Sequence, residues 1–229
     1  LPGRAMNELP ASPGTYHQVC PVNGLTYSLS VPAHYPVEHP NALIVALHWA
    51  GPVSPYYGEG ILSYLVEPAL GELEAFIAAP DCRFPNWTNL RSENQVLELV
   101  DYLVQGYGLS PKRTILTGYS MGGTGAWFMA ARRVGRFCAA IPISCAPHPD
   151  IHLLDWRLPF YIIHSRNDEL IHYEQVVLAV QKLRERNLPV DLVLLDGPTH
   201  YDTDGFIEPL QAAQSWIRQR WQACDPPQE

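Results

Sequence analysis

Gly118-Tyr119-Ser120-Met121-Gly122-Gly123 decides how this chain is read. It follows Arg113-Thr114-Ile115-Leu116-Thr117, which has the character of a short buried strand. It precedes Gly125-Ala126-Trp127-Phe128-Met129-Ala130-Ala131-Arg132, which reads as a helix. Gly-x-Ser-x-Gly between a strand and a helix predicts a turn sharp enough to strain the serine backbone. Gly118 and Gly122 leave space where a β-carbon would clash. Such a turn lifts the Ser120 hydroxyl above the C-terminal edge of a sheet and aims the first N–H groups of the next helix at it. The five-residue pattern alone is weak, because Gly and Ser are common. A glycine-rich turn in an unrelated α/β protein is the plain alternative, so the rest of the chain must decide.

Working outward, strand and helix patterns alternate. Leu25-Thr26-Tyr27-Ser28-Leu29-Ser30-Val31 alternates apolar and polar residues and reads as an edge strand, paired antiparallel with the Thr15 to Val19 region. Ala42 to His48 is continuously apolar, as expected of a strand covered on both faces. Gly58 to Ala75 reads as irregular helix interrupted by Pro68 and Gly71, and Phe76 to Ala79 as the next core strand. Val96, Leu99, Val100, Leu103 and Val104 carry a helical period over Glu93 to Tyr107, with Gly108 and Pro111 as stop signals. Cys138 to Ile143, Phe160 to His164 and Val190 to Leu195 are further strands, Tyr173 to Arg186 a helix and Phe206 to Trp221 the closing helix. This spacing predicts βαβ crossovers: a three-layer α/β/α sandwich around a mostly parallel sheet. Ligands of such sheets bind at the carboxyl ends of the strands.

The 229 residues are 47% hydrophobic, enough for a single domain over 1–229 with a sizeable core. Residues 1–14, rich in Pro, Gly and small side chains, are expected to lie loosely on the surface. A net charge of −8 argues against nucleic acid or an anionic membrane as the main partner. No apolar run reaches the roughly 18 residues needed to span a bilayer. Leu1 opens no basic-then-apolar leader, and the five cysteines form no Cys-x-x-Cys pair, which favours a reducing, cytoplasmic setting. A secreted or periplasmic form with its leader removed stays open, as does one disulfide, for example Cys20 with Cys82.

Chemistry-bearing residues fall just after the strands. Ser165-Arg166-Asn167-Asp168 follows one strand, and Asp196-Gly197-Pro198-Thr199-His200 follows the last. With Ser120 this places a serine, an aspartate and a histidine, in that order, at three strand ends. A serine hydroxyl is a poor nucleophile and needs a base to take its proton. An imidazole suits that task. A carboxylate can fix its tautomer and stabilise the imidazolium.

Together, Leu47-His48-Trp49-Ala50-Gly51, Gly118 to Gly123, Ile162 to Asp168 and Gly197-Pro198-Thr199-His200 resemble the α/β-hydrolase superfamily. The resemblance covers about Leu25 to Trp221. It is nearest to the compact, capless serine esterases: the phospholipase/carboxylesterase, dienelactone-hydrolase and polyester-depolymerase-like groups. It implies Ser120 as nucleophile, Asp168 as acid and His200 as base. It also implies an oxyanion hole of two backbone N–H groups: Met121, and one from the loop after His48. That loop is usually His-Gly-x in the family. Here Trp49 stands in the glycine position, so Ala50 is the first choice of donor and Trp49 the second. Either the loop takes a shape that tryptophan allows, or the donor is misplaced. Losing one donor typically costs about 2.7–4 kcal/mol of transition-state stabilisation. The segment between the strands ending near Ser144 and starting near Leu158 is too short for the helical cap of many lipases, which implies an open site.

Other residues have plainer readings. His164 and His48 are expected to be structural, His48 by fixing the oxyanion loop. His148-Pro149-Asp150-Ile151-His152 offers three metal ligands but reads as a solvated loop; no metal and no cofactor is expected. Glu169 and Asp196 are alternatives to Asp168 as the acid. Trp49, Tyr119 and Trp87 are candidate pocket residues, and Cys145 a buried filler. The expected activity is cleavage of a small-molecule carboxylic ester or thioester through an acyl-enzyme. A peptidase or acyltransferase using the same triad remains an alternative, as does a non-catalytic ligand-binding protein on a hydrolase fold.

Overall fold

The computed structural model describes residues 9–35, 41–149 and 158–225. Eight strands form one sheet: β1 (Gly14–Val19), β2 (Thr26–Val31), β3 (Leu43–Leu47), β4 (Phe76–Pro80), β5 (Thr114–Tyr119), β6 (Ala139–Ile143), β7 (Phe160–Ser165) and β8 (Val190–Leu195). Their spatial order is β1-β2-β4-β3-β5-β6-β7-β8. Both β1–β2 and β2–β4 pair antiparallel, and every other neighbouring pair is parallel. The strand that carries the Gly-x-Ser-x-Gly stretch therefore lies in the middle of the sheet.

Alternate residues of each central strand serve opposite faces, because side chains in a strand have a period of two. Leu43, Val45 and Leu47 enter one apolar cluster with α3 (Leu90–Tyr107), α4 (Met121–Arg132) and α5 (Tyr173–Glu185). Ile44 and Ala46 enter the other, with α1 (Glu59–Ile61), α2 (Glu67–Leu70), α6 (Ile207–Ala212) and α7 (Gln214–Cys224). The result is the expected three-layer arrangement, with a core on each side of the sheet.

Local differences from the sequence reading have local causes. β2 lies inside the sheet, with β1 at its edge. The alternation in β2 comes from Ser28 and Ser30, which are buried rather than solvated. Ser30 Oγ donates to Glu67 Oε1 at 2.8 Å, so a polar side chain is satisfied on a covered face. Helix α3 starts three residues early, at Leu90, because Asn89 caps it by accepting the Arg91 N–H at 2.9 Å. The irregular helix contains a π turn, Leu62–Val66, between α1 and α2. Pro68, in the first turn of α2, supplies no N–H to the preceding carbonyls. The closing helix is two helices, since the Ala213 N–H bonds to Leu210 O and tightens the chain there.

Residues 9–13 are held rather than loose. Leu9 packs against the apolar cluster on the α3 side. The carbonyls of Pro10, Ala11 and Ser12 accept from the hydroxyls of Tyr107, Tyr35 and Tyr16. Residues 1–8 lie outside the described residues. So do 150–157, which take up much of the β6–β7 connection where a cap was expected to be missing. All five cysteines are free thiols, Cys20 and Cys82 included. No described helix is long and apolar enough to cross a membrane.

Candidate active site

Ser120 sits between β5 and α4 with φ 54° and ψ −119°, a backbone shape that L-residues rarely adopt. The sterics around it explain the two flanking glycines. A β-carbon on Gly122 would stand 1.8 Å from Leu47 O, and one on Gly118 would stand 2.3 Å from Gly122 O. The turn is pressed against the end of β3, so neither position tolerates a side chain. The Ser120 N–H donates to Ile143 O at 3.0 Å, which ties the turn to β6 as well.

The structure brings Ser120, His200 and Asp168 together. Ser120 Oγ lies 2.9 Å from His200 Nε2, and His200 Nδ1 lies 2.9 and 3.0 Å from the two carboxylate oxygens of Asp168. With Nδ1–H donating to the carboxylate, Nε2 is left to accept the serine proton. Burial opposes ionisation of Asp168. Hydrogen bonds from Ser144, His200 and Ile171 outweigh it and hold the carboxyl below its usual range. The imidazole is also fixed through its backbone. The His200 N–H donates to Glu169 Oε2 at 2.9 Å, and Tyr119 OH donates to His200 O at 2.8 Å. Asp202 closes the same loop by accepting from the Thr199 N–H and hydroxyl.

The two alternative acids have other partners. Glu169 binds backbone, as just described, and Asp196 pairs with Arg166 at 3.1 Å on the surface. His164 is buried and its Nε2–H donates to Ile171 O at 2.8 Å. Cys145 is buried, and burial pushes its thiol up, away from reactive thiolate.

The loop after β3 is built by side chains. His48 is buried, its Nδ1–H donates to Trp49 O at 2.6 Å, and its Nε2 accepts the Cys82 N–H at 2.9 Å. Burial lowers the pKa of His48 and keeps it neutral. Trp87 Nε1–H donates to His48 O at 2.9 Å from below. Neither Trp49 nor Ala50 has a positive φ, so the loop has a shape that tryptophan allows. Among the described residues, no loop or turn hydrogen bond takes the N–H groups of Trp49, Ala50 or Met121.

A cavity of about 420 Å³ opens over Ser120, lined by Trp49, Ala50, Tyr119, Leu170, Tyr201 and Thr203 together with His200. Trp49 meets Tyr119 edge-on, with ring centroids 6.2 Å apart. Trp87 does not line the cavity. It is only 1% exposed and acts beneath the loop, because its indole N–H is spent on His48 O. Among the described residues no cluster of His, Cys, Asp or Glu is arranged to hold a metal ion; Asp150 and His152 lie outside them.

Sequence reasoning missed Ser144 and Asp81. Ser144 Oγ donates to Asp168 Oδ2 at 2.6 Å. Asp81 accepts the N–H groups of Tyr56 and Gly58 and organises the start of α1. No motif marks either residue, because their partners are distant in the chain.

Three comparisons bear on this arrangement. Protein usf of Aquifex pyrophilus is 24% identical over 122 residues, covering 51% of this chain and 53% of that protein. The chain spans about half the length of the curated relatives it matches. FphF, a fluorophosphonate-binding serine hydrolase of Staphylococcus aureus in substrate-bound form, superposes with a TM-score of 0.71 at 16% identity. That match covers 89% of this chain and 97% of FphF. The propionate-bound esterase Est2 of the Planctomycetes species Thermogutta terrifontis superposes with a TM-score of 0.70 at 15% identity, covering 96% and 98%. At these identities the likeness is one of fold, the α/β-hydrolase fold. The sequence profile of the Dienelactone hydrolase family matches residues 79–219, more than half of the chain, a span within which Ser120, Asp168 and His200 lie. The chain belongs to the dienelactone hydrolase family.

Proposed function

We propose that this chain is a serine carboxylesterase that forms an acyl-enzyme at Ser120. The observation that carries the reading is the continuous relay from Ser120 Oγ through His200 to Asp168, at the floor of an open cavity. His200 Nε2 takes the hydroxyl proton as Ser120 Oγ attacks the ester carbonyl. The N–H groups of Met121 and Ala50 hold the oxyanion, with Trp49 as the second choice for the latter. The protonated imidazole then gives its proton to the leaving alcohol. Water, activated by the same imidazole, releases the acid.

The cavity supports a small-molecule ester or thioester with a short acyl group. Trp49 and Tyr119 wall it with aromatic surface, and its lining includes no Asp, Glu, Lys or Arg. A short acyl group also agrees with the propionate bound in the Thermogutta terrifontis esterase. The free thiols fit a reducing compartment, and we place the chain in the cytoplasm on that basis.

The test is labelling with a fluorescent fluorophosphonate, wild type against Ser120→Ala, alongside p-nitrophenyl esters of increasing acyl length. Labelling and turnover are expected in the wild type, both lost in the variant, with turnover falling as the acyl chain lengthens. Labelling without ester turnover would redirect the reading to thioesters or peptides. An unlabelled, folded wild type would refute it in favour of a binding protein.

A further inference from the structure

We infer that Ser144 is a positioning residue of the relay, acting on His200 through Asp168; this rests on the proposed triad. Ser144 follows β6, whereas the triad residues follow β5, β7 and β8. It is fully buried, and its hydroxyl donates to Asp168 Oδ2 at 2.6 Å. The hydroxyl oxygen also lies 3.2 Å from His200 Nδ1, so its lone pair faces the N–H that Asp168 binds.

The accounting at Asp168 shows what the hydroxyl adds. Oδ1 accepts the N–H groups of Leu170 and Ile171 at 3.0 and 2.7 Å, which anchor one oxygen to its own loop. Oδ2 accepts no backbone hydrogen bond; its hydrogen-bond partners are Ser144 Oγ and His200 Nδ1, with His164 Nε2 farther off at 3.7 Å. Ser144 therefore fixes the rotation of the carboxylate about its anchored oxygen, and with it the plane in which the imidazole is held. A buried carboxylate oxygen deprived of its donor is poorly satisfied in a low-dielectric site.

The backbone points the same way. Ser144 has φ 46°, the left-handed region that glycine adopts without strain. This backbone shape holds the Ser144 hydroxyl toward Asp168, an association of local strain with a site that is common at functional positions.

The titratable groups around the Asp168–His200 pair are His164 at 3.7 Å from the carboxylate, Cys145, Glu169, Tyr119, Asp202 and Tyr201. Tyr119 also hydrogen-bonds the Ser144 side chain, whereas the backbone contacts of Glu169, Asp202 and His164 do not involve Ser144. Removing the hydroxyl takes one donor from the carboxylate and one oxygen from beside the imidazole N–H, so the balance within the Asp168–His200 pair changes.

The experiment compares wild type, Ser144→Ala and Ser144→Gly. It measures kcat and KM on p-nitrophenyl acetate across pH, and the His200 titration by NMR with Ser120→Ala as a background. In both variants the plateau kcat is expected to fall roughly 10- to 100-fold, the worth of a hydrogen bond to a charged group. KM should change little, and the acid limb of the kcat profile should shift from its wild-type position. Glycine, unstrained at φ 46°, keeps the test valid should the alanine variant fold poorly. A folded glycine variant with wild-type plateau kcat and an unmoved titration overturns the proposal. Should the wild type turn over no ester, the esterase reading fails separately. The NMR titration then still decides: a shift in the Ser144 variants supports the positioning role, and none refutes it.

Discussion

The turn between β5 and α4 and the loop after β3 lie side by side under the cavity, and they are built in different ways. In the turn, Gly118 and Gly122 let the backbone touch the end of β3, and the strained φ of Ser120 follows from that contact. In the loop there is no positive φ at Trp49 or Ala50. Its shape depends on His48, which bridges Trp49 O and the Cys82 N–H, and on Trp87, which reaches up from the segment before α3. One half of the site is set by absent side chains close in sequence. The other is set by present side chains far apart in sequence. The first should fail abruptly when changed, the second in graded steps.

The largest effect is expected from Gly122→Ala. Its β-carbon would meet backbone of β3 rather than a flexible side chain, so a strand must move. A loss of more than about 3 kcal/mol is expected in urea unfolding, beyond ordinary overpacking. A midpoint equal to wild type would mean that the turn is more pliable than its contacts imply.

Trp87→Phe should be milder. It keeps aromatic volume under the loop but strands the buried His48 carbonyl, a loss of about 1–3 kcal/mol in stability. Turnover should fall with it, in kcat more than in KM, because a donor is misplaced rather than a substrate contact removed. Wild-type kcat in a destabilised Trp87→Phe protein would separate the loop from the oxyanion.

Acid should loosen the loop before the turn. Burial lowers the pKa of both His48 and His164, so the folded protein holds them neutral while the unfolded chain protonates them. Below the unfolded value of about 6.5 the unfolded state binds more protons, and stability declines as pH falls. Asp168, depressed in the fold, contributes stability that is present above the ordinary carboxylate value of about 3.9 and is lost only as pH falls below it. A falling Tm from pH 7.5 to 5 is the expected record; a flat one would show that both imidazoles protonate in place.

The smallest disturbance of the fold should come from Trp49→Ala, which opens the cavity without removing the backbone partners of His48. Acyl preference should shift toward longer chains, by about tenfold or more in the kcat/KM ratio of octanoate to acetate esters. An unchanged ratio would place the acyl group elsewhere in the cavity.

The same division separates what was legible in the sequence from what was not. The strands β3, β4 and β6 announced themselves by apolar runs, because strands covered on both faces are largely apolar, while the edge strand β8 kept an apolar run broken only by the exposed Asp191. The place of β2 inside the sheet is not legible locally, because Ser28 and Ser30 are buried polar residues and Ser30 finds its partner in the distant Glu67. Trp87 was assigned to the cavity on its loop position, and its burial came from an indole N–H seeking a distant carbonyl.

The sequence by itself determined the sheet, the order serine, aspartate, histidine at its strand ends, and the glycine-shaped turn at Ser120, since period and backbone sterics act over a few residues. Only the tertiary structure decided how the imidazole is held. Glu169, Tyr119 and Ser144 reach His200 and Asp168 from three different strand ends. It also decided that tryptophan fits the loop after β3. Hydrogen bonds between buried groups are chosen by what folding brings within about 3 Å, and that proximity is not written in the spacing of the chain.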